Sequence, residues 1–279
     1  MPVFEIPPLE TLPLVRERWT PLYLEHGRIE VDDSSVKWIG ADRLVMRLPV
    51  SSLSVLLLGP GTTVTHAAMR ACAVSNTPIC WVGADGMHFY AVGVTPTHDN
   101  ERARLQAELA VNAKSRDVVA RKMFALRFSD VDVEKYSVKE LRGFEGRRVR
   151  QLYQAMGMRF GVSWKGRNYN PQNWSVSDTI NRAISAANAA LYALTAAVVT
   201  SMGYLPQLGF IHTAGTLPFV FDVADIYKPE TTLPAAFETV SLNNNATEEE
   251  VITRLKLYIE QVKLLSRMPV DISNLITKL

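Results

Sequence analysis

Residues 101–128, ERARLQAELAVNAKSRDVVARKMFALRF, mark where the character of the chain changes. Apolar residues recur through them at helical spacing, with Asp99 or Asn100 placed to cap the start. What precedes is of a different kind. GRIEVDD (27–33), SVKWIG (35–40), DRLVMRLPV (42–50) and SVLLLGPG (54–61) are short runs rich in β-branched residues, punctuated by Gly, Pro and Asp. One helix interrupts these strands, since Thr65 reads as the N-cap of HAAMRACAVSN (66–76). PICWVG (78–83) and MHFYAVG (87–93) follow as strands joined by a turn at Ala84-Asp85-Gly86. Downstream the pattern is helical in VEKYSVKELRGFEGRRVRQLYQAMG (133–157), DTINRAISAANAALYALTAAVVTSMG (178–203), FVFDVADIYK (219–228) and EEEVITRLKLYIEQVKLLSRM (248–268). The sequence therefore predicts an α+β chain. An N-terminal β-rich domain occupies residues 1–95, and a larger all-α domain occupies 96–279.

The 279 residues suit one or two domains, and an apolar share of 47% is enough to bury a core. A formal charge of +2 says almost nothing about nucleic acid, so any case for DNA rests on how the charge is distributed. Cys72 and Cys80 fit no zinc spacing and lie in apolar stretches, which predicts reduced core residues. The start, MPVFEIPPLETLPLVRERW, lacks the basic opening and continuous apolar run of a signal peptide. The longest apolar stretch, AISAANAALYALTAAVVTSMGY (183–204), is alanine-rich and interrupted by Asn188. It reads as a buried helix, so the expectation is no membrane span and a cytoplasmic protein.

Four residues stand out chemically. Glu145 sits among Arg142, Arg147, Arg148 and Arg150, flanked by Gly143 and Gly146. A salt-bridged, solvated helix face explains the charges. Two glycines within about a turn each weaken a helix by roughly 1 kcal/mol, so close approach of a backbone or a phosphate is expected to compensate. His212, in LGFIHTAGTLPFV, follows an apolar run and precedes a turn, as a structural histidine or a ligand would. Asp222 and Asp225 lie three apart on one predicted helix face among apolar neighbours. Partly buried acids need a cap, a cationic partner such as Lys228, a proton or a metal ion. One Glu, one His and two Asp form a workable donor set for Mg²⁺ or Mn²⁺. Residues 135–167 add nine Lys and Arg against Glu140 and Glu145, with Tyr153, Trp164, Tyr169 and Trp174 in or beside them. A basic, aromatic segment around a candidate metal ligand suits phosphodiester chemistry on DNA.

The chain resembles the CRISPR-associated integrase that forms the catalytic core of spacer acquisition, and within it the subtype I-E branch. PGTTVTHAAMR (60–70), VARKMFALRF (119–128), LRGFEGRRVR (141–150), DTINRAISAA (178–187) and FIHTAGTLPFVFDVADIYK (210–228) carry the resemblance in order. It implies a homodimer in which the β-rich domain dimerises and touches DNA. It also implies a metal held by Glu145, His212 and Asp225, with Asp222 beside them. Joining would proceed by transesterification, in which the 3′ hydroxyl of a short fragment attacks a phosphodiester of a repeat array. Tyr192 matches a family tyrosine near the site. DNA contacts are implied for Arg70, Arg142, Arg147, Arg148, Lys165, Arg167, Tyr169, Trp174 and Lys228. A small CRISPR-associated companion protein would bridge two dimers on double-stranded DNA.

The sequence departs from close relatives at several positions. His26 stands where relatives carry a tyrosine that wedges against the duplex end, and Thr63, His88 and Gly215 replace basic residues. Phe221 replaces a tyrosine. After SRMPVDISNLITKL the extended tail of some relatives is missing, which implies a different grip on the companion. Two other readings use the same residues: a metal-dependent nuclease resolving branched DNA in repair, and a DNA-binding scaffold without catalysis.

Overall fold

A computed structural model of the chain describes residues 20–32, 35–75, 77–83, 89–93, 100–128, 130–167 and 178–278. The turn read at residues 84–86 and the cap read at Asp99 lie outside them. The chain divides into two compact units. One takes in Met1–Ala103 and Ala193–Leu205, the other Arg104–Tyr192 and Pro206–Leu279. An N-terminal β-rich region is thus followed by a mostly helical part.

In the first unit, strands β1 (Thr20–Leu24), β5 (Leu53–Leu58), β7 (Ile79–Val82) and β8 (Phe89–Gly93) form one sheet in that order. β5 runs parallel to β1 and β7, while β7 and β8 are antiparallel. A second sheet has the order β4 (Val45–Leu48), β3 (Ser35–Gly40), β2 (Gly27–Asp32) and β6 (Thr63–Val64). Alternation along β2 buries Ile29 opposite Trp38 on β3. Between β6 and β7 in the chain comes α1 (His66–Val74), whose start is fixed by Thr65 Oγ1 accepting from the Ala68 N–H at 3.2 Å. Its Ala68 and Cys72 join Leu24, Ile29, Leu56, Leu58 and Ile79 in one core. Cys80 packs in an adjoining core with Val55, Val82, Ala193 and Ala197. Burial pushes the Cys72 thiol up to about 11 and the Cys80 thiol up to about 12, as expected of inert core cysteines.

After residue 100 the helical segments are cut more finely than their periodicity predicts. Residues 101–127 form two helices, α2 (Glu101–Val111) and α3 (Ala113–Arg127). Asn112 breaks the run by taking an extended conformation, its side chain accepting from Lys114 N and Ser115 N. Asparagine gains more as a cap than inside a helix. Residues 248–275 likewise split into α8 (Glu248–Gln261) and α9 (Leu264–Leu275) at Lys263, whose φ is 50°. The reading of 248–268 as one helix is corrected accordingly. α4 (Val138–Phe160) opens on a capping box between Ser137 and Glu140 and runs unbroken through Gly143 and Gly146. A Cβ at either glycine would meet nothing within 4 Å among the described residues, so no backbone approach explains them.

α5 (Thr179–Ser201) is the long apolar helix. It is long and apolar enough to cross a membrane by length and composition, yet most of it is buried inside the protein. α6 (Pro218–Tyr227) and α7 (Thr232–Leu242) follow. α7, TLPAAFETVSL, is not among the helices that the periodicity predicts; its threonines and proline have weak helix propensity, and most of its residues are buried. Phe237 of α7 sits in a core with Met156, Ile184, Leu233 and Leu255, against the stacked rings of Tyr153 and Trp164 (4.7 Å between centroids). This cluster ties α4, α5, α7 and α8 together. Phe237→Ala is expected to lower the stability of the second unit by about 3–5 kcal/mol. Urea unfolding followed by circular dichroism measures it, and a loss under about 1 kcal/mol would show that the core refills the space.

Candidate active site

α6 places Asp222 and Asp225 one turn apart, as the sequence spacing requires. Their surroundings differ sharply. The Asp222 side chain is fully buried and accepts from the backbone N–H of Phe210 (2.6 Å), Ile211 (3.0 Å) and His212 (2.8 Å). His212 Nδ1 meets the same carboxylate at 2.6 Å. Successive N–H groups thus wrap one anion. Gly209 lets the chain come this close, since a Cβ there would collide with the His212 carbonyl and stand 2.9 Å from Asp222 Oδ2. With Nδ1–H assigned as the donor to Asp222, the lone pair of His212 is on Nε2. The hydrogen bond to Asp222 raises the His212 pKa above its ordinary value despite partial burial; Asp225 and Glu145 add to the effect.

Asp225 faces two cations. Its Oδ1 lies 2.5 Å from Lys228 Nζ and its Oδ2 3.1 Å from Nη2 of Arg127, at the end of α3. Burial pushes its carboxyl up, but Lys228 and then Arg127 outweigh this and hold it below the usual carboxylate range. Glu145, on α4, pairs with the same Arg127 Nη2. There burial prevails and the Glu145 carboxyl is raised, with Arg127 drawing it back and Asp225 adding to the rise. Lys228 Nζ also donates to the Tyr192 hydroxyl at 2.5 Å and lies 4.7 Å from the centre of its ring. Tyr192 meets Phe221 edge-on, and Phe221 meets His212 in the same way. The structure therefore gathers Glu145, Tyr192, His212, Asp222, Asp225 and Lys228 into one site.

The donor types suit a divalent cation: two carboxylates from different helices share one positive partner, and an imidazole belongs to the same site. As the side chains stand, no three of His, Cys, Asp and Glu among the described residues converge closely enough to hold one ion. The positive charge between Glu145 and Asp225 is the Arg127 guanidinium. Arg127 is the site residue that sequence reasoning missed. Its signal was present, because it follows the buried Met123 and Phe124 by four and three residues on one helix face.

The other residues singled out have varied surroundings. Arg142 donates to the Ile211 carbonyl, at the base of the His212 loop. Arg148 forms a fork with Asp130 at 2.5 and 2.9 Å, and Arg147 lies over the Phe144 ring. Arg167 bonds the Asn181 carbonyl, the Asn181 side chain and the Ser185 hydroxyl at the start of α5. Lys165 is exposed. Arg70 lies on α1 in the first unit, where His26 holds a left-handed backbone with φ 50°. Tyr169, Trp174 and His88 lie outside the described residues.

A family model described as CRISPR associated protein Cas1 matches residues 129–250, which contain Glu145, Tyr192, His212, Asp222, Asp225 and Lys228. The CRISPR-associated endonuclease Cas1 2 of Chlorobaculum tepidum is 44% identical over 270 residues, 96% of this chain and 91% of that protein. The chain belongs to the Cas1 family of CRISPR-associated endonucleases. CRISPR-associated endonuclease Cas1 of Escherichia coli K12 is 41% identical over 244 residues, 88% of this chain and 80% of that protein. The crystal structure of the TtCas1–DNA complex superposes with a TM-score of 0.80 at 37% identity, covering 96% of this chain and all of that one. This Cas1 family member thus shares both its β-rich region and its helical part with a solved relative.

The buried Asp222 contact has a measurable consequence. Asp222→Ala orphans three backbone donors and the imidazole, and should cost about 3–5 kcal/mol of stability. For the His212–Asp222 pair the raised histidine pKa sets the sign. Its contribution to stability is complete below the ordinary value of 6.5 and is lost as pH rises through the raised one. NMR titration should find His212 titrating above 6.5, and Asp222→Asn should bring it down. A midpoint unmoved in Asp222→Asn would mean that the pair does not form in solution.

Proposed function

We propose that this Cas1 protein, of the subtype I-E branch, is a metal-dependent DNA integrase that inserts short fragments into a CRISPR repeat array. The observation that carries the reading is the meeting of Glu145 and Asp225, from separate helices, on one cationic nitrogen beside His212. A divalent cation, Mg²⁺ or Mn²⁺, would be held by Glu145, His212 and Asp225. Bound there, it would supply Lewis-acid stabilisation of charge on the phosphoryl oxygens.

The chain's own residues prepare the rest. Asp222 locks the His212 loop and leaves Nε2 with its lone pair available. Lys228 holds its proton more firmly than an ordinary lysine, because Asp225 more than offsets the burial, and it donates to the Tyr192 hydroxyl. Tyr192 is thereby fixed to orient a fragment's 3′ hydroxyl. That oxygen forms the new bond to phosphorus while the bond to the target strand's 3′ oxygen breaks, leaving a 3′ hydroxyl there. Joining by this exchange conserves phosphodiester bonds and needs no nucleotide cofactor.

DNA contacts are assigned to Arg70, His26, Arg142, Arg147, Arg148, Lys165, Arg167, Tyr169, Trp174 and Lys228. The partners are double-stranded DNA, a second copy of the chain and a small CRISPR-associated companion bridging two dimers. The resemblance in the sequence supports these assignments.

The deciding experiment uses a labelled branched DNA that mimics a half-integrated fragment, incubated with the purified protein in Mn²⁺, in Mg²⁺ and in chelator. Metal-dependent release of the fragment with a rejoined target strand is expected. It should fall on the order of a hundredfold or more in Glu145→Ala and His212→Ala. Cutting without rejoining would replace this reading with a branched-DNA nuclease. Binding without reaction would leave only a scaffold.

A further inference from the structure

Arg127 ends α3 with its side chain only 7% exposed, on the helix face of the buried Met123 and Phe124. A buried cation is tolerated when paired, and this one pairs through a single atom. Nη2 meets both Glu145 Oε1 and Asp225 Oδ2. The other terminal nitrogen, Nη1, is buried and has no hydrogen-bond partner among the described residues. A guanidinium placed only to stabilise the fold would satisfy both nitrogens, since a buried orphan donor is costly. Here one nitrogen is committed to the point where two acids converge and the other is left unsatisfied.

Charge counting sharpens the point. Glu145 and Asp225 bring two negative charges, and Arg127 and Lys228 bring two positive ones. The group is balanced with no ion present. A divalent cation on the same acids would add two positive charges to these four partly buried groups, only one of which the nearby Asp222 carboxylate could offset, so withdrawal of a protein cation from the acids is favoured. Lys228 is anchored a second time, by its bond to the Tyr192 hydroxyl and its position over that ring. Arg127 has only the more distant Phe124 ring, 5.8 Å from its guanidinium carbon.

We propose that Arg127 is a built-in counter-ion. It holds Glu145 and Asp225 together when no metal is bound, competes with the ion for both carboxylates, and releases at least one when the ion enters. It is a positioning residue, acting through the acids and not on DNA. This inference rests on the metal-dependent reading above, and it makes metal affinity a property set by α3 as well as by the ligands.

The test measures Mn²⁺ binding by calorimetry, and thermal unfolding with and without Mn²⁺, on the full-length protein. Arg127→Gln should melt lower than wild type in chelator, because two acids then face each other with one cation fewer. Saturating Mn²⁺ should restore most of the loss, and Mn²⁺ should bind at least tenfold more tightly than to wild type. A purely structural arginine would give the lower melting point without the tighter binding. Arg127→Lys keeps the charge but not the planar fork, and its Mn²⁺ affinity should fall between the two. If Arg127→Gln does not fold in chelator, Arg127→Lys decides the matter. Mn²⁺ affinity equal to or weaker than wild type, in Arg127→Gln or in Arg127→Lys standing in for it, overturns the proposal. Glu145→Ala separates this from the functional reading. If it binds Mn²⁺ as wild type does, the ion does not bind here and both fall; if it loses Mn²⁺, the reading stands whatever Arg127 does.

Discussion

A carboxylate with no access to water would cost several kcal/mol if left alone, and Asp222 is such a carboxylate. Its position is tolerable only because residues 210–212 turn three N–H groups and an imidazole towards it. The dependence is mutual. Those N–H groups lie at a bend that has no helix or strand to satisfy them, and without Asp222 they would be buried and unpaired. One anion thus fixes the path of the loop, the ring orientation of His212 and the docking of the loop on α6. The position of Phe221, one residue before Asp222 and edge-on to both His212 and Tyr192, follows from the same constraint.

A second constraint follows from the first. Once α6 is placed by Asp222, Asp225 must emerge one turn later, on a face shared with α3 and α4. It needs cations there, and it receives one from its own helix end, Lys228, and one from α3, Arg127. Glu145 from α4 adds a second acid to the same guanidinium nitrogen, so Arg127 joins its own helix α3 to both α4 and α6. The opposite pKa displacements of the two acids reflect this asymmetry. Asp225 has two cations close by, which hold its carboxyl below the usual range, while Glu145 has one close partner and is pushed up by burial.

The division between strand and helix was legible because side-chain period is a property of short windows, which β2 and α4 display cleanly. So was the capping of α1 by Thr65, where a hydroxyl precedes an apolar helical run. The breaks at Asn112 and Lys263 were not. Both sit inside continuous helical periodicity: Asn112 divides the first run as a cap, and Lys263 divides the second by a left-handed turn that its residue type does not favour. α7 escaped notice for the opposite reason: its residues have weak helix propensity, and burial on nearly all sides supplies what propensity does not. At the site, the acids and the histidine drew attention by chemical type. Arg127 did not, because its one signal, a place on the helix face of the apolar Met123 and Phe124, is weak among so many arginines. The membership of Ala193–Leu205 in the first unit could not be read from a helix whose composition is uniform along its length.

The interruption at Asn188 in that helix also acquires a physical meaning. Asn188 Oδ1 accepts from the Thr232 hydroxyl at 2.8 Å, at the start of α7, and Tyr192 lies four residues further along α5. Residues spaced by four share a helix face, so the two polar groups that spoil the apolar run point the same way. They address consecutive parts of one segment: Lys228 at the end of α6 donates to Tyr192, and Thr232 donates to Asn188. A continuous apolar stripe would have buried α5 equally well, but it would have left the Lys228 ammonium and the Thr232 hydroxyl without these partners. The polar groups that interrupt this apolar helix are therefore what register it against the segment that carries the site's partly buried lysine.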